Sequence, residues 1–391
     1  MPAQTVDVAI VGGGVLGLSA AYHLLTLGVV DSVAVCEQDP LHQRSSTGLS
    51  AGGVRDLFSS RVNIELAQYS IRFFKDFSVR TATRGGPGPE INFRQQGYLF
   101  LMNRQNEEGF LRRADLQERL GVDLERLDAS ALCRRYPELR TDDLTGAIFG
   151  KSDGFLDPYQ VMRGLRQKAG ELGATFVDEE VVEITVEGGR AAGVRTTGST
   201  ISARRGVIDA AGAWGGEVAR LAGLEVPVTP VVRQVYLCRP AEDVFAAYPF
   251  VGASGGLYFH PEPGGRLLVG KAMPDDAVGF SWDWDRWRFE ETLWPELADR
   301  VPVLERLRLE SGWAGLVENT PDMSGIVGEH PGLCSFYLLT GFSGLGLMLA
   351  PGAGMALAEI IAGSGAPSID VRDLRPGRFA EGSGTWEEKT M

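Results

Sequence analysis

The sequence predicts a mixed α/β chain, α+β overall, in which a parallel βαβ domain is interrupted by a second domain built on an antiparallel sheet. Three observations lead there. A strand, a glycine turn and a helix open the chain between Val6 and Leu27. A second strand–glycine turn–helix unit closes it, from Phe336 to Ala362. Between them, Val231–Leu237, Leu257–His260 and Arg266–Val269 alternate at the two-residue period of half-buried strands.

The elements follow in order. Val6, Val8 and Ile10 alternate with Asp7 and Ala9 and read as a buried strand. Leu16, Ala20, Leu24 and Leu27 recur at helical spacing behind Gly12-Gly13-Gly14, and a strand from Ser32 to Cys36 completes the first βαβ unit. A loop of small residues, Ser45 to Gly53, precedes a helix with Ile64, Ala67, Ile71 and Phe74 on one face. The Gly/Pro cluster from Gly85 to Pro89 marks a boundary. Gly97–Met102 is strand-like, and the charged run Glu107–Tyr136 reads as helices. Gly154–Pro158 leads into a helix over Tyr159–Leu172, then a strand over Thr175–Ile184. Glu187-Gly188-Gly189-Arg190 signals a hairpin into Ala191–Arg195, and Arg205–Ala210 is another apolar strand. Trp282–Trp294 starts a helical excursion, its tryptophans read as core or lid packing, and the polar tail from Pro367 is expected to fray.

With 391 residues the chain exceeds one ordinary core. The breaks assign 1–85, 146–225 and 311–391 to the parallel domain and 86–145 and 226–310 to the inserted one. Apolar residues at 44% and charged residues at 23% exclude a largely disordered chain. A net charge of −13 argues against nucleic acid or an anionic membrane surface as partner. The apolar runs Val6–Val30 and Leu338–Ile361 are broken by glycine and do not read as membrane spans. Cys36, Cys133, Cys238 and Cys334 are far apart, and four histidines form no ligand motif. No metal is expected, and a reducing cytoplasm is the expected location.

Gly12-x-Gly14-x-x-Gly17 sits between a strand and a helix, with Val15 and Leu16 inside the turn. Gly12 permits the tight turn, Gly14 the approach of a pyrophosphate, and Gly17 close helix–strand packing. Phosphate oxygens suit the helix N-terminus, and Glu37, twenty residues past Gly17 at the end of the second strand, suits ribose hydroxyls. This is a Rossmann-type dinucleotide site, open at this point to FAD or NAD. The C-terminal turn Gly344-Leu345-Gly346 adds a second helix N-terminus, which would favour negative charge on a flavin pyrimidine.

Seven blocks carry a family resemblance: VGGGVLG (11–17), STGLSAGGVR (46–55), GFLDP (154–158), DAAGAW (209–214), LYFHP (257–261), GWAGLVENTPD (312–322) and GFSGLGLMLAPG (341–352). In order and spacing the chain resembles the D-amino-acid oxidase-like FAD-dependent oxidoreductases, which include sarcosine oxidase, glycine oxidase and dimethylglycine dehydrogenase. Two blocks also resemble a mitochondrial member associated with respiratory complex I assembly. The resemblance implies FAD held by Gly12, Gly14, Gly17 and Glu37, by Ser46, Thr47, Ser50 and Ala51, by the backbone of Val181, by Ala211 and Gly212, and by Gly344, Leu345, Gly346 and Met348. It implies oxidation of a small amine or N-alkyl or imino amino acid by hydride transfer to flavin N5, with hydrolysis of the imine and passage of electrons to oxygen or another acceptor.

Departures from the family sharpen these expectations. Ser50 and Gly315 stand where some members tether flavin through His or Cys, so the FAD is expected to be noncovalent. Met348 and Val317 stand where relatives place a Lys or Arg against a substrate carboxylate, which leaves that role to Arg55 or Arg233. Tyr258 matches a pocket tyrosine, and His260 is expected on the same strand face. Lys271 and Glu318 complete the catalytic candidates, one as a cation near the flavin and the other as negative potential for an amine. The alternatives are a flavin-dependent oxidation of a 2-hydroxy acid, or a flavin-binding assembly factor without turnover.

Overall fold

The computed structural model describes residues 3–363, 367–384 and 386–388. Its first sheet runs in the order 326–329, 336–340, 200–209, 3–11, 33–36, 174–177. The four pairs joining 336–340 through 174–177 are parallel, and the edge strand Ile326–Glu329 is antiparallel. A hairpin, Val181–Glu187 and Arg190–Thr196, extends antiparallel from the strand Thr200–Asp209. From Val8 to Val11 the opening strand Ala3–Val11 is apolar on both faces, because the sheet is covered on both there, as parallel sheets are. Chain order reverses beside it, with 33–36 on one flank and 200–209 on the other. Ligands of open α/β sheets sit at such a switch point, beyond the carboxyl ends of the strands.

Helices Val15–Thr26, Arg61–Lys75, Pro158–Glu171 and Gly346–Ala362 pack into one core with this sheet. Ile64, Ala67, Ile71 and Phe74 form the buried face expected of Arg61–Lys75. Pro351 lies inside the last helix, where it cannot donate a backbone hydrogen bond. Neighbouring helices bond to the backbone on either side of it: Ser19 Oγ donates to the Ala350 carbonyl at 2.8 Å, and the Gly352 N–H donates to Ser70 Oγ at 3.1 Å.

The second sheet is ordered 307–319, 229–240, 266–271, 257–262, 250–252, 98–103, 144–150, 124–128. Every pair is antiparallel except Phe250–Gly252 with Tyr98–Asn103. Its core, around Leu99, Tyr236, Phe259 and Leu267, is closed by the helix Trp294–Arg300.

Several elements differ from expectation. Leu144–Gly150 and Leu307–Asn319 both pair into the second sheet and straddle the breaks expected at 145/146 and 310/311, because a strand joins its ladder as a unit. The charged run 107–136 is a helix, Glu107–Arg119, then a strand, Leu124–Asp128, then a short helix, Ala129–Arg135. The strand expected over 175–184 is two, Ala174–Val177 and Val181–Glu187, which pair with different neighbours. Helix begins only at Arg286, so Trp282 and Trp284 lie on an irregular segment. Leu27 falls just past its helix and is exposed. Among the described residues no helix is long and apolar enough to cross a membrane, and no His/Cys/Asp/Glu cluster could hold a metal ion.

Candidate functional site

A cleft of about 620 Å³ opens at the switch point and runs from the first glycine turn to the face of the second sheet. One end is built by Gly12, Gly14, Val15, Leu16, Glu37 and Val181, and the middle by Ser46, Thr47, Ser50, Ala51, Ala211 and Gly212. Gly344, Leu345, Gly346 and Met348 line it from the last helix and the turn before it, and Arg55, Tyr98, Arg233, Phe250, Tyr258, Lys271 and Glu318 from the far end.

The three glycines of the first turn do different things. Gly12 has φ +104°, and a Cβ there would come within 2.4 Å of the Ala210 carbonyl oxygen. At Gly17 a Cβ would come within 2.0 Å of the Gly12 oxygen, so this residue packs helix on strand and does not line the cleft, a correction to its place among the cofactor contacts. At Gly14 a Cβ would meet only Thr47 Oγ1, at 3.5 Å. Nothing in the chain requires glycine at 14; what it leaves is room on the cleft side, at the N-cap of the helix Val15–Thr26. The N-cap residue Gly14 has no side chain to cap that helix and its first turn holds no acid, so its N-terminus suits an anion. The Glu37 carboxylate accepts from the Gly13 N–H at 2.7 Å and the Asp39 N–H at 2.7 Å, which fixes it at the cleft rim with lone pairs left for hydroxyl donors. Thr47 Oγ1 accepts from the Val15 N–H at 3.3 Å and ties the small-residue loop to the same turn. These features fit an adenine dinucleotide.

The far end separates the three candidate cations. Arg55 is buried, with its guanidinium 4.3 Å from the Phe58 ring centroid and 5.3 Å from that of Phe100. Its Nη1 donates to the Leu57 carbonyl, and its Nε has no partner. Among the described residues Arg55 forms no ion pair. Arg233 instead pairs with Asp276, which also holds Arg288. Lys271 Nζ lies 2.5 Å from both carboxylate oxygens of Glu296.

Tyr258 lies on the cleft wall in an aromatic group, its ring stacked on Phe250 at 5.3 Å and Phe250 on Tyr98 at 4.1 Å. Gly270 makes room for its hydroxyl, and burial pushes the phenol up to about 12. His260 is fully buried and does not line the cleft, which corrects its place among the catalytic candidates. Burial pulls its pKa down to about 4, so the ring is neutral at neutral pH. Its Nε2 lies 2.9 Å from the Ala51 carbonyl, so it anchors the small-residue loop from behind. Sequence reading missed Tyr98, Phe250 and Glu387 of the lining.

Glu318 is buried in the cleft wall beside Gly346. Burial raises its carboxyl to about 7, against backbone N–H groups of Glu318 and Phe342 that lower it. A carboxyl raised in the folded state stabilises when protonated, and that stability is lost as pH rises from the unfolded value through about 7. In the apoprotein Glu318→Gln is therefore expected to raise the thermal midpoint at pH 8 by a few degrees, and to leave it nearly unchanged near pH 4.5. Thermal unfolding across that range measures it; a difference that does not grow with pH would contradict it.

Residues 7–360 match the DAO family model, described as FAD dependent oxidoreductase. The chain is 33% identical to FAD-dependent oxidoreductase domain-containing protein 1 of Bos taurus, over 92% of this chain and 82% of that protein. It is 28% identical to glycine oxidase of Pseudomonas putida, over 95% and 98%. Its fold is similar to that of L-proline dehydrogenase from P. horikoshii, with a TM-score of 0.87, 25% identity and coverage of 97% and 99%. The chain belongs to the DAO family of FAD-dependent oxidoreductases, and FAD is its cofactor.

Proposed function

We propose that this enzyme oxidises the carbon–nitrogen bond of a small amino acid carrying a secondary amine, N-alkyl or imino. One observation carries the reading: Arg55 is a buried guanidinium on the cleft wall that forms no ion pair among the described residues, the charges of Glu387 and Asp153 reaching it only from beyond contact. Burying such a charge unpaired is costly, and a substrate carboxylate would supply the missing partner. The names of two relatives support a carboxylated substrate, glycine and L-proline both being amino acids, and L-proline carries a secondary amine. We assign the parallel sheet and its helices to the cofactor and the second sheet to the substrate, with Leu144–Gly150 and Leu307–Asn319 on the substrate side.

Gly12, Gly14 and the helix N-terminus behind them would hold the pyrophosphate, Glu37 the adenosine ribose, and Val181 the adenine through its backbone. Ser46 to Ala51, Ala211, Gly212 and the turn Gly344–Gly346 would carry the rest. Bound FAD supplies the two-electron acceptor. Arg55 orients the substrate through its carboxylate, Tyr258 offers its hydroxyl to the amine, and Glu318, once ionised above about pH 7, adds negative potential that draws a cationic amine. The rings of Tyr98, Phe250 and Tyr258 limit the water around the reacting carbon. Arg233 and Lys271 shape the wall as ion pairs. The four unpaired thiols suit a reducing compartment such as the cytoplasm.

Mixing the holoenzyme without oxygen with N-alkyl amino acids, imino acids, the matching uncarboxylated amines and 2-hydroxy acids tests this directly. Bleaching of the flavin by the carboxylated secondary amines is expected; bleaching by 2-hydroxy acids alone would replace the reading. We further propose that the FAD is noncovalent. The described cleft lining has no histidine, its cysteine Cys36 lies buried at the first-turn end with its thiol pushed up to about 12, Ser50 Oγ is engaged by the Gly52 N–H, and Gly315 is packed on Leu49. Acid precipitation is expected to leave a colourless pellet and all of the flavin in the supernatant.

A further inference from the structure

The C-terminal segment, expected to fray, builds part of the cleft wall: Glu387 and Glu388 both line it. Glu387 is buried and accepts five hydrogen bonds. They come from the Ser59 N–H at 2.7 Å, Ser59 Oγ at 2.8 Å, the Ser60 N–H at 3.2 Å, Ser60 Oγ at 2.8 Å and Asn63 Nδ2 at 2.9 Å. Three further anchors hold the segment. The Glu387 N–H donates to the Asp322 carbonyl at 3.0 Å, the Glu388 N–H donates to Ser59 Oγ at 2.9 Å, and the Glu388 carboxylate pairs with Arg112 and Arg113. Asp322 is itself fixed by the buried Arg378 at 2.7 Å.

Residues 59–60 immediately follow the two groups that hold Arg55, the Leu57 carbonyl and the Phe58 ring. Glu387 forms no ion pair with Arg55 among the described residues, although its charge favours the guanidinium from a distance; its hydrogen bonds pin the short loop on which Arg55 rests. Without that carboxylate, two backbone N–H groups, two hydroxyls and an amide would lose a shared acceptor. The loop would then be free to move, and the guanidinium with it.

We propose that Glu387 is a positioning residue for substrate recognition: through the loop 57–60 it sets the orientation of Arg55 in the cleft. The proposal rests on the reading of Arg55 as the carboxylate-binding group. Its chemical consequence falls chiefly on carboxylated substrates, because Arg55 is the cleft group that the loop 57–60 holds.

The test compares holoenzyme of wild type, Glu387→Ala, Glu387→Gln and Arg55→Ala on a carboxylated secondary amine and on the same amine without its carboxylate. Glu387→Ala is expected to raise KM for the carboxylated substrate about tenfold, with kcat within about twofold and the uncarboxylated amine unaffected. Glu387→Gln, which keeps one acceptor oxygen, should fall between. Flavin content should stay at the wild-type level, and amide hydrogen exchange at Ser59 and Ser60 should quicken. If Arg55→Ala raises that KM and Glu387→Ala does not, Glu387 has no positioning role while the Arg55 reading stands. If Arg55→Ala leaves the two substrates alike, both ideas fall. Equal losses on both substrates, or loss of flavin, would make the tail merely structural and also overturn the proposal.

Discussion

Replacing Arg55 by Met is expected to raise KM for a carboxylated secondary amine by about ten- to a hundredfold, the loss of a hydrogen bond to a charged group. Met keeps most of the volume against Phe58 and Phe100, so the result reads charge and not a cavity. Arg55→Lys should recover only part of the loss, because an ammonium cannot present the planar fork that a carboxylate accepts from guanidinium. Arg233→Met should do much less. Its charge is already met by Asp276, and the substrate would have to compete with a partner that never leaves. Steady-state kinetics on matched substrates with and without the carboxylate separate these cases. If Arg233→Met produced the larger rise, the clamp would belong to Arg233. If neither variant discriminated between the substrates, a substrate without a carboxylate would become the better reading.

The contrast between Arg55 and Arg233 also marks what the sequence could and could not convey. Arg55 follows the small-residue loop and Arg233 lies on a strand, and neither local pattern says which charge is already met. They differ through Asp276, forty-three residues from Arg233, and through rings from Phe58 and Phe100 that close over Arg55. The cofactor end was legible because its chemistry is local: a strand, a glycine turn, a helix and Glu37 all fall within the first βαβ unit. His260 shows the limit of strand alternation. The period places it on the side of Tyr258, but the neighbouring loop covers it, so one residue lines the cleft and the other holds Ala51 from behind. The strand Leu124–Asp128 was hidden because it is an edge strand with one buried residue, Leu127, and its remaining positions are charged or half-exposed. Arg378 and Glu387 look like a solvated tail in sequence. Each becomes buried only through partners that the chain supplies far away, Asp322 for one and Ser59 and Ser60 for the other.

The glycines of the first turn give the sharpest test of the cofactor end, because the fold needs two of them and leaves the third to the ligand. Gly14→Val is expected to yield a folded apoprotein whose affinity for FAD is lower by about a hundredfold. The reasoning is steric. The first atom of a side chain at 14 meets only Thr47 Oγ1 at 3.5 Å, an ordinary contact, and the rest must enter the space that a pyrophosphate would fill. A small loss of stability, about 1 kcal/mol, is expected from replacing glycine at the N-cap. Gly12→Ala should behave in the opposite way. Its φ of +104° and the 2.4 Å approach to the Ala210 oxygen strain the turn itself, so the apoprotein should lose about 1–3 kcal/mol of stability before any ligand is considered. Thermal unfolding of each apoprotein and titration with FAD, followed by flavin fluorescence, give both numbers. A Gly14→Val protein that takes up FAD like the wild type would show that the pyrophosphate does not lie against this turn. A Gly14→Val protein that fails to fold would show that the glycine serves the chain after all.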